Sequence, residues 1–484
     1  MLSIPDAAAK DLPLRLGLSQ AHFLAAFPIG TPDSRGVRLI QLSEATIDES
    51  SLPTAARKPG KRMRPTQSVN GLNETFLKSA GPLDLVFYDV NDPEDKRFWA
   101  GTAFYIIGGL RKAGNHVHVI GRLAPRLRRL LIAAFYHSYR LTQKLHYHPD
   151  RHLALTKLFS AIGTRRLQKY PSADAIITVS AAFSAYLRTS KPIIVLLDAT
   201  WGQIVETYPY FHSSMQPKHI VASGFKLDQI AFSKPNLHLV MTSQWAAGRA
   251  IVDYNIHPAR VHILPFGANF REDPARENVE RALRNRSGER CSLLFVGREF
   301  ERKGGPLAVQ IAGELRTFGI DVTLHIVGCS PQNLPSFVKV HGLLSKDSVE
   351  HLSLLDTLYS ESDFFLMPST AEAQGIVFNE AAAYALPVAA SDVGGVSAVV
   401  SNGDWGLLLP PGAEAKEYAV WLAALFRDRP RYIRTALRAR DDYEKRLSNT
   451  AYTRELTKIV QSIVQAHERP ALLKDRSIDR SVRY

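Results

Sequence analysis

The sequence predicts two doubly wound α/β domains in tandem. The chain has 484 residues, which is more than a single hydrophobic core usually serves. Short apolar runs alternate with helix-like segments, a pattern typical of parallel sheets covered on both faces. The alternation occurs in two consecutive series, which begin near Leu85 and Cys291. Two series of this kind predict two such domains.

The first series begins with the apolar run Leu85–Tyr88, which predicts a buried strand. A helix is predicted over Ala103–Ala113, where a Gly-Asn pair ends it. Ser243 is a predicted N-cap for a helix that begins at Gln244. The other predicted strands are His116–Ile120, Ala175–Val179, Ile193–Leu197, Leu237–Thr242 and Val261–Leu264.

The second series repeats the alternation and continues into the C-terminal part of the chain. The predicted strands are Ser292–Val296, Val322–Val327, Val338–His341, Phe364–Met367, Val388–Ser391 and Leu407–Leu409. The predicted helices are Pro306 to about Gly319, Ser345–Ser360, Ile376–Ala385 and a long amphipathic one over Asp441–Ala466. The predicted organisation is an extension (1–80) that is loosely attached, a first domain (81–275) with a basic insertion (121–170), a second domain (276–440), and a C-terminal helix and charged tail (441–484).

Net charge indicates which partners the protein binds, and apolar runs and cysteine content indicate its compartment. The formal net charge of +14 favours anionic partners such as nucleotide diphosphates, lipid headgroups or nucleic acid. The sequence has no run of about 18 apolar residues, so no membrane-spanning helix is predicted. The first residues lack the basic and apolar regions of a signal peptide. The two cysteines, Cys291 and Cys329, are expected to be inert core thiols in a reducing compartment. A cytoplasmic protein is therefore expected.

The clearest candidate ligand site is Ser369–Ala382, which follows the predicted strand Phe364–Met367 and opens a helix. Gly375 lets the backbone come close to a ligand. Free amides in the first turn of a helix form a natural phosphate site. The predicted phosphate ligands are the amides of Gly375, Ile376 and Val377.

Two glutamates flank the start of this helix. Glu372 lies on the loop before it and Glu380 about one turn inside it. Carboxylates so spaced could hold different hydroxyl-bearing parts of one ligand, such as a ribose and a hexose. Acidic first turns favoured by the helix macrodipole explain the same residues, and this pattern alone leaves both readings open.

A basic loop and a glycine pair follow neighbouring strands of the same predicted sheet. Arg298 and Lys303 lie in the loop after Val296, where they could stabilise the negative charge of a diphosphate leaving group without a metal. The alternative is an ordinary basic surface loop. Gly394 and Gly395 predict a turn beside the same crevice.

Together these motifs resemble the retaining glycosyltransferases of family 4, which share the GT-B architecture of two Rossmann-like domains facing a cleft. Glu372 and Glu380 resemble the family's E-x7-E motif, the segment Gly297–Gly304 its basic diphosphate motif, and Gly394-Gly395 its late glycine pair. The resemblance spans about residues 85–430.

The first domain contributes two weaker matches to the resemblance. Trp99–Thr102 resembles the small-residue loop that approaches the donor phosphates and the acceptor. The stretch from Ser243 to Asn269 resembles the family's strand before the interdomain linker.

The resemblance implies a retaining transferase that moves a hexose-type sugar from a nucleotide-sugar donor to a saccharide, lipid-linked or small-molecule acceptor. Residues 81–275 would be the acceptor domain and residues 276–440 the nucleotide-sugar domain. No cofactor or divalent metal is expected, and the leaving phosphate would take the acceptor proton.

The resemblance also implies roles for individual residues. Arg298 and Lys303 would hold the diphosphate, Glu380 the ribose and Glu372 the donor sugar. The implied catalytic residues are Glu372, Arg298, Lys303 and Asp198. The other implied donor-binding residues are Gly101, Thr102, Ala373, Gly375, Ile376 and Val377.

Two positions depart from the family pattern. Many members carry a histidine where this chain has Asp198, and an ionised aspartate can accept a hydrogen bond but not donate one. Ala385 replaces the family's usual glycine in Ala385-Leu386-Pro387. The first departure bears on the acceptor side of the reaction and on the choice of sugar.

The insertion over 121–170 carries eleven basic residues and one acidic residue, with leucines and aromatics between them. Such a stretch could lie on an anionic membrane surface and bring the enzyme to a lipid-linked acceptor. The alternative is a solvated helical insertion packed on the first domain. No nucleic-acid motif accompanies the charge, so no nucleic-acid partner is expected. His146, His148 and His152 have no cysteine or acidic partner at helical spacing, and no metal site is predicted.

Two rival functions share this fold. One is a catalytically degenerate GT-B protein that binds a membrane or nucleic acid through its basic surface. The other is a different enzyme on the same architecture, such as a sugar-nucleotide epimerase or a phosphorylase. Donor binding through Lys303 and Glu380 separates the transferase from the degenerate protein.

Overall fold

The computed structural model describes residues 2–5, 37–40, 81–123, 145–286 and 288–478, with 2–5, 37–40 and 469–478 described by their backbone alone. Residues 1–78 and 79–484 form two separate compact units. In the first unit, the described residues are two antiparallel strands, β1 (Leu2–Pro5) and β2 (Val37–Ile40), paired so that Leu2 lies opposite Ile40. The predicted α/β alternation belongs to the second unit.

The first large sheet has six parallel strands in the order β4-β3-β5-β6-β7-β8. Every residue of β5 is buried, as are the first four of β6, which explains their unbroken apolar sequences. The strands are β3 (Asp84–Tyr88), β4 (His116–Ile120), β5 (Ala175–Thr178), β6 (Ile193–Leu197), β7 (Leu237–Met241) and β8 (Val261–Ile263).

The second sheet is also parallel and six-stranded, in the order β11-β10-β9-β12-β13-β14. Its central strands β12 and β13 are buried along their whole length. The strands are β9 (Arg290–Val296), β10 (Asp321–Val327), β11 (Val338–Gly342), β12 (Phe364–Met367), β13 (Val388–Ser391) and β14 (Gly406–Leu409). The structure thus confirms the predicted fold class.

α-Helices connect most successive strands in both series, except β10 to β11 and β13 to β14. In the first they are α1 (Thr102–Lys112), α2 (Leu153–Leu167), α3 (Ala181–Ser184), α4 (Trp201–Thr207), α5 (Lys218–Phe232) and α6 (Gln244–Tyr254). After β8 they are α7 (Arg276–Asn285), α8 (Gly305–Thr317), α9 (Val349–Glu361), α10 (Ile376–Ala383), α11 (Ala415–Arg427), α12 (Arg429–Asp442) and α13 (Asn449–Ile478). Ser243 caps α6 as predicted, since its side chain accepts from the Ala246 amide.

The predicted single helix over Asp441–Ala466 is wrong. Helix α12 ends at Asp442, a π-helical turn covers Tyr443–Leu447, and α13 begins at Asn449. Ser448 has extended backbone angles (φ −72°, ψ 153°) and its hydroxyl accepts from the Ala451 amide. An extended residue that caps the next helix ends the helical path, and apolar periodicity does not reveal such a break.

Helix α13 returns to the first domain. Its buried side chains join the cluster under the first sheet, with Tyr452, Leu456 and Val460 fully buried beside Phe87. Asn449 Nδ2 donates to the Tyr105 carbonyl oxygen at 2.8 Å. The C-terminal segment therefore completes the core of the first domain rather than forming an appendage.

Part of the predicted basic insertion lies outside the described residues, namely 124–144. The described part packs on the first domain through Leu155 and Phe159 of α2. Arg151 pairs with the buried Asp228 at 3.1 Å and lies over the Trp201 ring, 4.4 Å from its centroid. For these residues the structure favours the packed insertion over a free basic surface.

Candidate active site

The second sheet has a topological switch point between β9 and β12. These strands are adjacent, but their onward connections lead to opposite sides, β9 to β10 and β12 to β13. Ligands of open parallel sheets bind in the crevice at the carboxyl ends of strands at such a point. The loops that leave β9 and β12 are 297–304 and 368–375, which contain the predicted basic motif and Glu372. The topology thus brings the two predicted motifs together.

Lys303 and Glu372 form a direct ion pair between these loops. Their side chains are only 13% and 9% exposed. A charged pair this deeply buried stabilises each member only while the other is present. In the free protein the lysine predicted to hold a diphosphate neutralises the glutamate predicted to hold the sugar.

The neighbouring arginines have different roles. Arg298 is exposed and makes no ion pair or side-chain hydrogen bond among the described residues, so its guanidinium is available to a ligand. Arg302 is largely buried, donates to the Ala371 carbonyl oxygen at 2.7 Å and pairs with Glu299 at 2.6 Å. It supports the loop that carries Glu372, a role that the basic pattern did not indicate.

Glu380 lies on the buried face of α10 with its side chain 4% exposed. One carboxylate oxygen accepts from Lys346 Nζ at 2.5 Å and the other from the Tyr359 hydroxyl at 3.1 Å. Burial and the Glu380 charge raise the pKa of Tyr359 well above its ordinary value, so this hydroxyl stays a donor. Two donors from distant segments therefore orient the second glutamate of the motif.

The start of α10 has the geometry that a phosphate site needs. Gly375 has φ +83°, a value that favours glycine. A Cβ at this position would lie 2.6 Å from the Phe378 ring. The first-turn amides of Gly375, Ile376 and Val377 have no acceptor four residues back in a helix, and they are available to an anion.

Tyr208 reaches this region from the first domain. Its hydroxyl accepts from the Ala373 amide at 2.9 Å, and the Arg302 guanidinium lies 5.1 Å from its ring centroid. Burial, with the charges of Glu372 and Asp198, raises the pKa of Tyr208. The tyrosine therefore stays neutral and ties the Glu372 loop to the opposite wall.

The glycine pair after β13 supports the Glu372 loop from behind. A Cβ on Gly394 (φ +57°) would lie 1.8 Å from the Glu372 carbonyl oxygen. A Cβ on Gly395 would lie 2.1 Å from the Ala373 carbonyl oxygen and 2.8 Å from Ser243 Oγ. The predicted turn beside the crevice thus exists, and its glycines allow backbone to pack on backbone.

The predicted small-residue loop of the first domain is a left-handed turn. Trp99, Ala100 and Gly101 have φ values of 48°, 53° and 82°. A left-handed conformation costs about 1–2 kcal/mol at each residue other than glycine, so neighbouring contacts must hold the turn. The Trp99 ring packs edge-on against Phe266 at 5.0 Å between centroids.

Thr102, which follows the turn, begins α1 and is 2% exposed. Its Oγ1 accepts from Asn269 Nδ2 at 3.1 Å. This hydroxyl therefore contacts the linker between the two sheets, the irregular segment 264–275 that follows β8.

Asp198 follows β6 and is half-buried. Burial raises the pKa of Asp198 to about 6, and the Glu372 charge acts in the same direction, while the amides of Asp198 and Ala199 lower it. Two carboxylates that influence each other across a cleft suit a ligand rich in hydrogen-bond donors.

The second domain matches a known protein family. Residues 290–428 match the family model described as "Glycosyl transferases group 1". This range contains both glutamates, Arg298, Lys303 and the glycine pair. Residues 290–428 thus resemble a group 1 glycosyl transferase domain.

One relative and two solved structures resemble a longer part of the chain than residues 290–428. D-inositol 3-phosphate glycosyltransferase of Paenarthrobacter aurescens is 30% identical over 202 residues, 39% of this chain and 49% of that protein. The chain thus spans about half the length of the curated relatives it matches. Sucrose-phosphate synthase from Thermosynechococcus elongatus superposes with TM-score 0.57 and 17% identity over 80% of this chain and 100% of that one. Anabaena Alr3699/HepE, solved with UDP, superposes with TM-score 0.53 and 15% identity, over 78% of this chain and 100% of that one. The fold is GT-B, as predicted.

The sequence motifs did not indicate four residues that support the site from outside it. Tyr208, Asn269, Lys346 and Tyr359 contact the motif segments from other parts of the chain. Asn269 ends the stretch that resembles the strand before the interdomain linker, and Lys346 and Tyr359 lie in the predicted helix Ser345–Ser360, but none of these patterns assigned them to the site. Their partners lie 21 to 167 residues away, beyond the reach of a local motif.

The described residues contain neither a candidate metal cluster nor a helix suited to span a membrane. Within the described ranges, no group of three or more His, Cys, Asp or Glu side chains is arranged to hold a metal ion. No helix in the part of the chain that the structure describes is long and apolar enough to cross a bilayer. Cys291 and Cys329 are free thiols whose pKa values are raised by burial.

Proposed function

We propose that this protein is a retaining glycosyltransferase that moves a hexose-type sugar from a nucleotide-sugar donor to an acceptor. The observation that carries the proposal is the arrangement of Lys303, Glu372 and Glu380 at the switch point of the second sheet. A cation for the diphosphate, Lys303, lies beside the carboxylate of the loop before α10, and the second carboxylate lies within α10. These three groups correspond to the diphosphate, the donor sugar and the ribose of a nucleotide sugar.

The proposed donor orientation follows from these positions. Ribose hydroxyls donate to Glu380, and the diphosphate lies between Lys303, Arg298 and the first-turn amides of α10. The sugar then extends towards Glu372 and Asp198, whose carboxylates accept from its hydroxyls. Basic groups fixed in a partly dry crevice stabilise the charge that develops on the leaving phosphate, so we propose that the reaction needs no divalent metal.

We propose that the acceptor enters from the first domain and attacks on the face from which the phosphate departs. The leaving phosphate takes the acceptor proton, and the anomeric configuration is retained. The acceptor is a saccharide, a lipid-linked sugar or a small molecule with a free hydroxyl. For a lipid-linked acceptor we propose peripheral contact with the inner face of the membrane through 121–170, in keeping with a cytoplasmic enzyme of polysaccharide biosynthesis.

Calorimetry and thermal shift against UDP, GDP and ADP, and their common sugars, with and without magnesium, test the proposal. We expect one base to stabilise the protein, with no dependence on magnesium. Lys303→Ala and Glu380→Ala should each weaken binding about 10- to 100-fold, because each removes a charged donor contact. Lys416→Ala, an exposed lysine of α11, is the matched control, and circular dichroism verifies the fold of each variant.

Two outcomes would contradict the proposal. Wild-type binding in Lys303→Ala or Glu380→Ala would remove the donor-site assignment. Failure of every nucleotide to bind the wild-type protein would favour a degenerate GT-B protein that acts through its basic surface. Proton NMR of the transferred sugar checks retention, since the anomeric coupling constant of product and donor must then agree.

A further inference from the structure

Lys346 lies outside the motifs that follow β9, β12 and β13. It follows β11, and its Nζ donates to Glu380 Oε1 at 2.5 Å and to the Asn269 carbonyl oxygen at 3.3 Å. Its side chain is 36% exposed, whereas that of Glu380 is 4% exposed. A single ammonium therefore joins the proposed ribose ligand to the linker between the two sheets.

Asn269 extends the connection into the first domain. The residue is 5% exposed, and its Nδ2 donates to the Ala100 carbonyl oxygen at 3.3 Å and to Thr102 Oγ1 at 3.1 Å. Its carbonyl and its side chain thus contact opposite walls of the cleft. Ala100 belongs to the left-handed turn Trp99–Gly101, whose conformation depends on such contacts.

A ligand at Glu380 would change the contacts of Lys346. A ribose diol donates hydrogen bonds to a carboxylate and competes with the ammonium for Oε1. The remaining acceptor of Lys346 is the Asn269 carbonyl, on the residue whose amide holds the turn. A ligand shifts a conformation only through contacts that differ between the two states, and this chain of contacts supplies them.

We propose that Lys346 is a positioning residue that couples nucleoside binding at Glu380 to the Trp99–Gly101 turn through Asn269. The inference rests on the proposed function, because the ligand at Glu380 is the ribose of the donor nucleotide. The nearby pair of Lys96 and Asp347, 3.9 Å apart and well exposed, contributes little, since surface pairs at this distance are weak.

The test follows Trp99 by fluorine NMR in protein labelled with 5-fluorotryptophan, its signal assigned with Trp99→Phe. The ligand is whichever of UDP, GDP or ADP binds the wild-type protein, and calorimetry measures its affinity in parallel. In the wild type the Trp99 signal shifts at saturation. In Lys346→Met and in Asn269→Ala we expect the nucleotide to bind with an affinity within about 10-fold of wild type, while the Trp99 signal stays where it is in the free protein.

The control is Lys339→Met, which removes an exposed lysine of β11 and should behave as wild type. A Trp99 shift of wild-type size in Lys346→Met, or no shift in the wild type when nucleotide is bound, would overturn the coupling. If no nucleotide binds the wild type, the proposed function fails and this inference fails with it, and calorimetry alone distinguishes that result from a loss of coupling.

Discussion

Asp198 and Glu372 influence each other electrostatically, but their carboxyl groups have different partners. Glu372 has Lys303 as its counter-charge, whereas Asp198 is held by backbone amides and its pKa is raised to about 6. The Asp198 carboxyl therefore changes its protonation state at mildly acidic pH. At neutral pH it accepts, and below its pKa it donates as well.

The raised pKa of Asp198 predicts a specific pH dependence of stability. Protonation favours the folded state, so the contribution is fully present below about pH 4, the pKa of an unfolded aspartate, and is lost as the pH rises through about 6. We expect Asp198→Asn to raise Tm at neutral pH and to flatten the curve of Tm against pH between about 4 and 7. Differential scanning calorimetry across this range measures both.

The matched control for Asp198→Asn is Asp392→Asn, which changes an exposed aspartate after β13 and should leave the curve as in wild type. A lower Tm in Asp198→Asn at neutral pH would show that the charged carboxylate is stabilising and would contradict the argument. The same variant should lose transfer activity at neutral pH if the carboxylate accepts from the donor sugar.

At the level of elements, the loop after β12 is held by three neighbours. Gly394 and Gly395 pack behind it, Arg302 donates to its Ala371 carbonyl oxygen, and Tyr208 accepts from its Ala373 amide. These contacts come from the loops after β13 and β9 and from the opposite domain. The position of Glu372 therefore depends on backbone packing as well as on its ion pair.

Gly394→Ala tests this dependence. The new Cβ would lie 1.8 Å from the Glu372 carbonyl oxygen, so the loop that carries Glu372 must move. We expect nucleotide-sugar affinity to fall at least about 10-fold. Gly403→Ala is the control, because Gly403 also has positive φ (+80°) but open space around its Cβ. It should cost about 1 kcal/mol of stability and leave affinity unchanged. Calorimetry gives affinity and urea unfolding gives stability, and equal affinities in the two variants would contradict the role of the packing.

At the level of the whole molecule, the C-terminal helix ties the end of the chain to the first sheet. The chain leaves the second sheet through α12, turns at Ser448 and covers the first core with α13. Phe266 of the linker contacts Trp99 and Tyr452 with its ring, and its backbone accepts from Gln374 and Asn379. Linker and helix thus join both domains into one unit.

Truncation of a core residue of α13 measures this contribution. Leu456 is fully buried beside the first sheet, and Leu456→Ala should lower the free energy of unfolding by about 3 kcal/mol, through lost burial and the cavity left behind. Lys458→Ala, an exposed residue of the same helix, should change it by less than about 0.5 kcal/mol. Urea unfolding followed by circular dichroism compares the two, and similar values would mean that α13 does not stabilise the first domain.

The sequence by itself determined the two α/β series, the strands and the segments that carry Glu372, Glu380, Arg298 and Lys303. These features are local, because apolar runs, glycines and caps act within a few residues of the chain. Local periodicity did not reveal the break at Ser448, since an extended cap changes direction without changing the apolar pattern. Only the tertiary structure decided which side chains complete the site. Tyr208 contacts Ala373 across 165 residues and Asn269 contacts Thr102 across 167, and such pairings arise from the packing of two sheets and the path of the linker between them.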